Sequence, residues 1–76
     1  MFDGAEHLDL RGLKCPLPAL MARRVLINAA PGTVLLVICD DPLSHLDLPH
    51  MARQEGFTVL SEAHEGGIYR AHLQRR

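Results

Sequence analysis

The sequence predicts an α+β fold, a two-layer α/β sandwich with the element order β-α-β-α-β-β. Two helices cover one face of a four-stranded mixed sheet. Three observations carry this expectation. Two segments open with proline after a turn residue and close near glycine or asparagine, as helices do. Residues 33–39 form an almost unbroken apolar run of strand-forming type. Near the end, Gly66-Gly67 separates two alternating runs and reads as a hairpin turn. Amphipathic helices and a sheet bury their apolar faces against each other, which gives the two layers.

Residues 1–6 read as a flexible N-terminus and residues 7–76 as a single domain. Leu8 and Leu10 alternate with His7 and Asp9, a short half-buried strand. A helix is expected over residues 16–28, with Pro16 at its first position because the missing N–H has no partner there. Its apolar face is expected from Leu17, Leu20, Met21 and Leu26, with Arg23 and Arg24 outward. Ala29-Ala30-Pro31-Gly32 stops it. The apolar run 33–39 belongs at the centre of the sheet. Asp41 before Pro42 repeats the cap-then-proline pattern. Pro49 interrupts the next segment, giving one turn or loop over residues 43–46 and a helix over residues 49–55 closed by Gly56. A strand begins at Phe57 and runs toward His64. Residues 68–74 return as the last strand, with Tyr69, Ala71 and Leu73 on one face.

A chain of 76 residues with 47% hydrophobic and 22% charged residues is one globular domain with a thin core. A formal net charge of −1 excludes bulk electrostatic binding of polyanions. The bases are nevertheless local: Arg11, Lys14, Arg23 and Arg24 surround Cys15 and the helix after it. They are read either as a solvated face or as a docking patch for acidic partners. No signal-peptide pattern is visible, and no apolar run is long enough to span a bilayer. A cytoplasmic location is expected, where thiols stay reduced.

Cys15 is the candidate catalytic residue. Placed at the cap of the first helix, its sulfur would face unpaired backbone N–H groups and the positive end of the helix dipole, with Lys14 adjacent. Both favour the thiolate, so an ionisation below the free-thiol range is expected. Inert packing is the alternative, since free cysteines are often buried. Pro16 and Pro18 stiffen the turn, and Gly12 permits the bend between strand and helix. Cys39 ends an apolar strand and reads as a packing residue. It lies 24 positions from Cys15, so no Cys-X-X-Cys pair exists. Asp40 and Asp41 read as capping and turn residues. The five histidines show no ligand spacing, so no metal site is expected.

The stretch Leu8-Asp9-Leu10-Arg11-Gly12-Leu13-Lys14-Cys15-Pro16-Leu17-Pro18 resembles the Cys-Pro-X-Pro signature of the TusA/SirA-like sulfur-carrier family. Two further blocks in order resemble it too. The first is Pro31-Gly32, Val34-Leu35-Leu36-Val37-Ile38 and Asp40-Asp41-Pro42; the second is Asp47-Leu48-Pro49 followed by Gly56. The resemblance covers residues 7–75. It implies the same sandwich, shared in outline with the C-terminal domain of bacterial translation initiation factor three. It also implies that Cys15 carries sulfur as a persulfide between proteins. The donor would be a cysteine desulfurase or another sulfur donor protein. A downstream acceptor protein would serve tRNA thiolation, molybdenum-cofactor work or sulfur oxidation. No cofactor, membrane or direct nucleic-acid partner is expected, and the free chain is expected to be a monomer. Two alternatives stay open. One is an RNA-binding or regulatory module on the same fold, against which three aromatic rings count. The other is a redox protein cycling Cys15 with Cys39.

Overall fold

Six elements follow one another in the predicted order: β1 (Glu6–Asp9), α1 (Leu17–Ile27), β2 (Val34–Cys39), α2 (Ser44–Glu55), β3 (Thr58–Glu65) and β4 (Ile68–Gln74). The computed structural model describes residues 5–76. Most of the segment read as a flexible N-terminus, residues 1–4, therefore lies outside the described residues, and Glu6 already pairs within the sheet.

The sheet order is β1-β2-β4-β3. Strands β1 and β2 run parallel, with Leu8 opposite Val37. Strands β2 and β4 run antiparallel, with Val37 opposite Ala71, and β3 pairs antiparallel with β4. The apolar run thus occupies an inner strand. It is fully buried on one face only: Leu35, Val37 and Cys39 are covered, while Val34, Leu36 and Ile38 are half-buried on the other. Side chains alternate across a strand, so only every second residue meets the helices. Gly66 and Gly67 both take positive φ, +58° and +78°, the geometry that matches the twist of a two-residue hairpin. Tyr69, Ala71 and Leu73 share the buried face of β4, as predicted.

Both helices lie on one face of the sheet. Ala19, Ala22 and Leu26 of α1 and Leu48, Met51 and Ala52 of α2 form one cluster with Leu35, Val37, Cys39, Tyr69, Ala71 and Leu73. The buried face of α1 differs from the expected one. Pro18, Ala19, Ala22 and Leu26 point inward, whereas Leu17, Leu20 and Met21 are 46%, 53% and 38% exposed. Small alanines let α1 approach both the sheet and α2 closely, which turns the larger side chains outward.

The second helix is also longer than predicted. It is continuous from Ser44 to Glu55, with Pro49 inside it. The proline removes the hydrogen bond that the His45 carbonyl would accept. That carbonyl belongs to the exposed residue His45 in the first turn, and the proline ring itself is buried. Burial of the ring and of Leu48, Met51 and Ala52 outweighs one lost bond. Asp41 does not cap this helix directly. Its Oδ2 accepts the Leu43 N–H at 3.1 Å and its carbonyl accepts the Ser44 N–H at 3.0 Å, a turn that leads into the helix.

Candidate functional site

Three backbone links fix the segment between β1 and α1. The Leu10 N–H donates to the Ile38 carbonyl at 2.7 Å, the Leu13 N–H to the Leu10 carbonyl at 3.2 Å, and the Gly12 N–H to Asp40 Oδ1 at 2.9 Å. Gly12 has a φ of +88°, where a Cβ would be strained, so the bend needs glycine as expected. Asp40 acts here as a turn residue, tying the end of β2 to this bend.

The next turn departs from the sequence expectation. The Leu17 N–H donates to the Lys14 carbonyl at 2.8 Å, closing a turn over residues 14–17. The helix starts at Leu17, Pro16 is its cap, and Pro18 takes an early position inside it. Cys15 is therefore not the helix cap. It lies one residue further out, exposed, and its thiol turns to the neighbouring helix. There it donates to Asp47 Oδ2 at 2.6 Å.

That partner reverses the expected electrostatics. The thiol of Cys15 is pushed up from its ordinary value, first by its hydrogen bond to Asp47, then by desolvation, then by the charges of Asp47 and Asp41. A carboxylate accepting from a thiol stabilises the protonated form. Because the fold binds this proton more tightly, its contribution to stability is present below the ordinary thiol value. That contribution fades as pH rises through the folded value. Alkylation of Cys15 by iodoacetamide is expected to be slow at neutral pH and to rise with a midpoint above the free-thiol value of ~8.5. A midpoint below it would restore the helix-cap account.

Cys15 and Asp47 sit at one end of an open groove of about 380 Å³ between the two helices. Ala19 and Met51, both nearly buried, are part of its lining. Leu20 and Arg23 line it from α1, and His50, Gln54 and Glu55 from α2. These positions recur at three- and four-residue spacing, so each helix turns one face to the groove. Arg23 Nε donates to Glu55 Oε2 at 2.9 Å and links the helices at the groove wall.

The four basic residues near Cys15 in sequence are engaged differently in the structure. Arg11 is held by Asp9 through two bonds, at 2.9 and 2.7 Å. The same contact keeps the Asp9 carboxyl down at about 2. Arg23 is engaged with Glu55, whereas Lys14 and Arg24 are exposed. Large apolar side chains are exposed at the starts of both helices. Leu17 and Leu20 project from the start of α1. Leu43 and Leu46, 49% and 57% exposed, project from the start of α2, next to Asp47.

Cys39 is fully covered within the core at the end of β2. Burial pushes its thiol up, with the Ser44 hydroxyl beside it pulling the other way. Both cysteines are free. Among the described residues, no group of three or more His, Cys, Asp and Glu side chains is placed to hold a metal ion. Asp47 and His50 were not singled out from the sequence as site residues. Asp47 lies 32 positions from Cys15, and only the packing of α2 against α1 joins them.

Residues 6–75 match the family described as sulfurtransferase TusA. Among solved structures, a SirA-like protein from Desulfitobacterium hafniense superposes with a TM-score of 0.77 at 24% identity, covering 90% of this chain and 93% of that one. That likeness supports the two-layer fold with its four-stranded mixed sheet, and the family match spans all six elements around the exposed Cys15. The chain belongs to the TusA sulfurtransferase family.

Proposed function

We propose that this protein is a sulfur carrier in the cytoplasm, on which Cys15 receives sulfane sulfur from a donor protein and passes it to an acceptor. The observation that carries this reading is the exposure of Cys15 at the mouth of an open groove, in a chain of the TusA family. The Cys15 sulfur attacks the terminal sulfur of a donor persulfide. The sulfur–sulfur bond of the donor breaks, its own sulfur leaves as a thiolate, and the proton of Cys15 goes to that thiolate. One thiol and one persulfide yield one persulfide and one thiol, so no oxidant is consumed. A cysteine desulfurase is the donor of choice. Acceptors in tRNA thiolation, molybdenum-cofactor work or sulfur oxidation fit the same chemistry.

Docking rests on the exposed leucines. Leu20 is exposed and lines the groove with Cys15, and an exposed apolar side chain beside the reactive group favours an interaction surface there. Gly12, Pro16 and Pro18 support the turn that holds Cys15 out. Lys14 and Arg24 remain open to a partner's acids, while Arg11 and Arg23 would first have to leave their carboxylates. Leu20→Asp combined with Leu46→Asp is expected to leave the thermal midpoint almost unchanged, since exposed substitutions shift stability by only ~0.5 kcal/mol. The rate of sulfur loading from a cysteine desulfurase should fall by roughly tenfold or more, the size of an interface hot spot. An unchanged rate would place the partner elsewhere.

The RNA-binding alternative finds little support among the described residues. Tyr69 is buried, with its hydroxyl donating to Glu62, and Phe57 packs against the core. Neither offers a ring on which a base could stack. The redox alternative would require the covered Cys39 to meet an exposed Cys15. Incubation with a cysteine desulfurase and radiolabelled cysteine tests the carrier reading. Label on the chain that moves to a second protein supports it, and a chain left unlabelled refutes it.

A further inference from the structure

We infer that the Cys15–Asp47 pair selects sulfur donors that carry a positive charge beside their sulfane sulfur. This rests on the carrier reading of Cys15 and adds the chemistry of the donor to it.

The resting pair is poorly suited to attack. The Cys15 thiol is tied at 2.6 Å to a half-buried carboxylate, and a thiolate formed there would face that charge at contact distance. The remaining charged or titratable groups are disposed so that they do not relieve it. Asp41, on the turn before α2, adds to the negative field. Arg23, the cation lining the groove, is already held by Glu55. Lys14 is exposed on the neighbouring position, and His50 lies further along the groove. A cation arriving with the donor would bond to Asp47, draw its carboxylate away from Sγ and offset its charge. The thiolate would then form where the sulfane sulfur is presented. A donor without such a cation meets a thiol.

The chemistry is shared by two sources: a small aminothiol persulfide, and a protein persulfide with lysine or arginine next to it. In both, Cys15 Sγ bonds to the outer sulfur, the donor's sulfur–sulfur bond breaks, and the donor thiolate leaves with the proton that Sγ gave up. Asp47 is a positioning and selecting residue, acting through Cys15.

The test uses thiol reagents with the same ethyl spacer and leaving group and opposite charge. Aminoethyl methanethiosulfonate and sulfonatoethyl methanethiosulfonate each form a disulfide with a thiolate and release methanesulfinate. Wild-type Cys15 is expected to react at least about tenfold faster with the cationic reagent, after correction for their rates with free cysteine, and high salt should narrow the gap. Asp47→Asn should bring the ratio near one while making Cys15 react faster with neutral iodoacetamide. A purely structural role for Asp47 would not move the two readouts in this way. A single label per chain shows that the variant is folded, because unfolding exposes Cys39 and adds a second. A wild-type ratio near one, or one favouring the anionic reagent, overturns the inference whatever the variant does. These reagents read the thiol without sulfur transfer, so the result stands apart from the fate of the carrier reading.

Two further arms separate the sources. Cysteamine persulfide should load wild-type Cys15 faster than 3-mercaptopropionate persulfide, with the difference lost in Asp47→Asn. Loading from a cysteine desulfurase should fall in the same variant if the donor protein supplies the cation. A desulfurase rate that does not fall assigns the selection to free aminothiols alone. Equal loading of wild-type Cys15 from the two small persulfides, together with a desulfurase rate that Asp47→Asn leaves unchanged, overturns it.

Discussion

Leu48→Ala should remove a large fraction of the protein's stability. Leu48 is completely covered, at 0% exposure, and sits beside Asp47 on the helix that completes the site. Removing a buried leucine to alanine costs ~2–5 kcal/mol, the spread depending on how far the surroundings collapse into the cavity. A domain of this length has on the order of 4–11 kcal/mol of total stability. Collapse is restricted here, because the cluster that holds Leu48 also contains the short side chains Ala19, Ala22 and Ala52. They have little volume to move inward. The thermal midpoint should fall by roughly 10–40 °C, given ~4–8 °C per kcal/mol in domains of this size. A calorimetric loss below about 1 kcal/mol would mean that α2 contributes little to the core, and with it the placement of Asp47 would be in doubt.

Cys15→Ser should abolish sulfur loading, whereas Cys39→Ser should retain most of it. Serine keeps the size and the hydrogen bond to Asp47 but offers no sulfur on which a persulfide can form. Since Cys15 is exposed, its replacement should leave the thermal midpoint within a few degrees, and loss of loading then cannot be assigned to unfolding. Cys39 is the reverse case. Its side chain is packed at the end of β2, so a hydroxyl there should lower stability by ~1–3 kcal/mol through polar burial while leaving the chemistry intact. Loading that vanishes in a folded Cys39→Ser variant would require both sulfurs in the reaction.

The strands were legible because their signals are local. The apolar run of β2, the two glycines of the hairpin and the alternation of β4 each follow from a few adjacent residues. The helices were harder. In α1, the large residues Leu17, Leu20 and Met21 suggested the buried face, yet the close approach of two helices and a sheet selects Ala19 and Ala22. Residue size and burial part company there, and Leu20 is left lining the groove with Cys15. Pro49 suggested a break in α2 because a lost hydrogen bond is a local signal, while the burial that offsets it is tertiary. The exposure of Cys15 and the bend at Gly12 agree with what the motif suggested. The ionisation of Cys15 does not. The cap geometry was inferred from the neighbouring residues alone, and the group that decides the proton, Asp47, comes from the other helix.

The most direct measurement is mass spectrometry of the wild-type chain after incubation with a cysteine desulfurase and cysteine, with mapping of the modified peptide. The account predicts a gain of one sulfur atom, located on Cys15, lost on treatment with a thiol reductant and absent when the desulfurase is left out. A sulfur located on Cys39, a loss of two hydrogens from a Cys15–Cys39 disulfide, or an unchanged mass would contradict it.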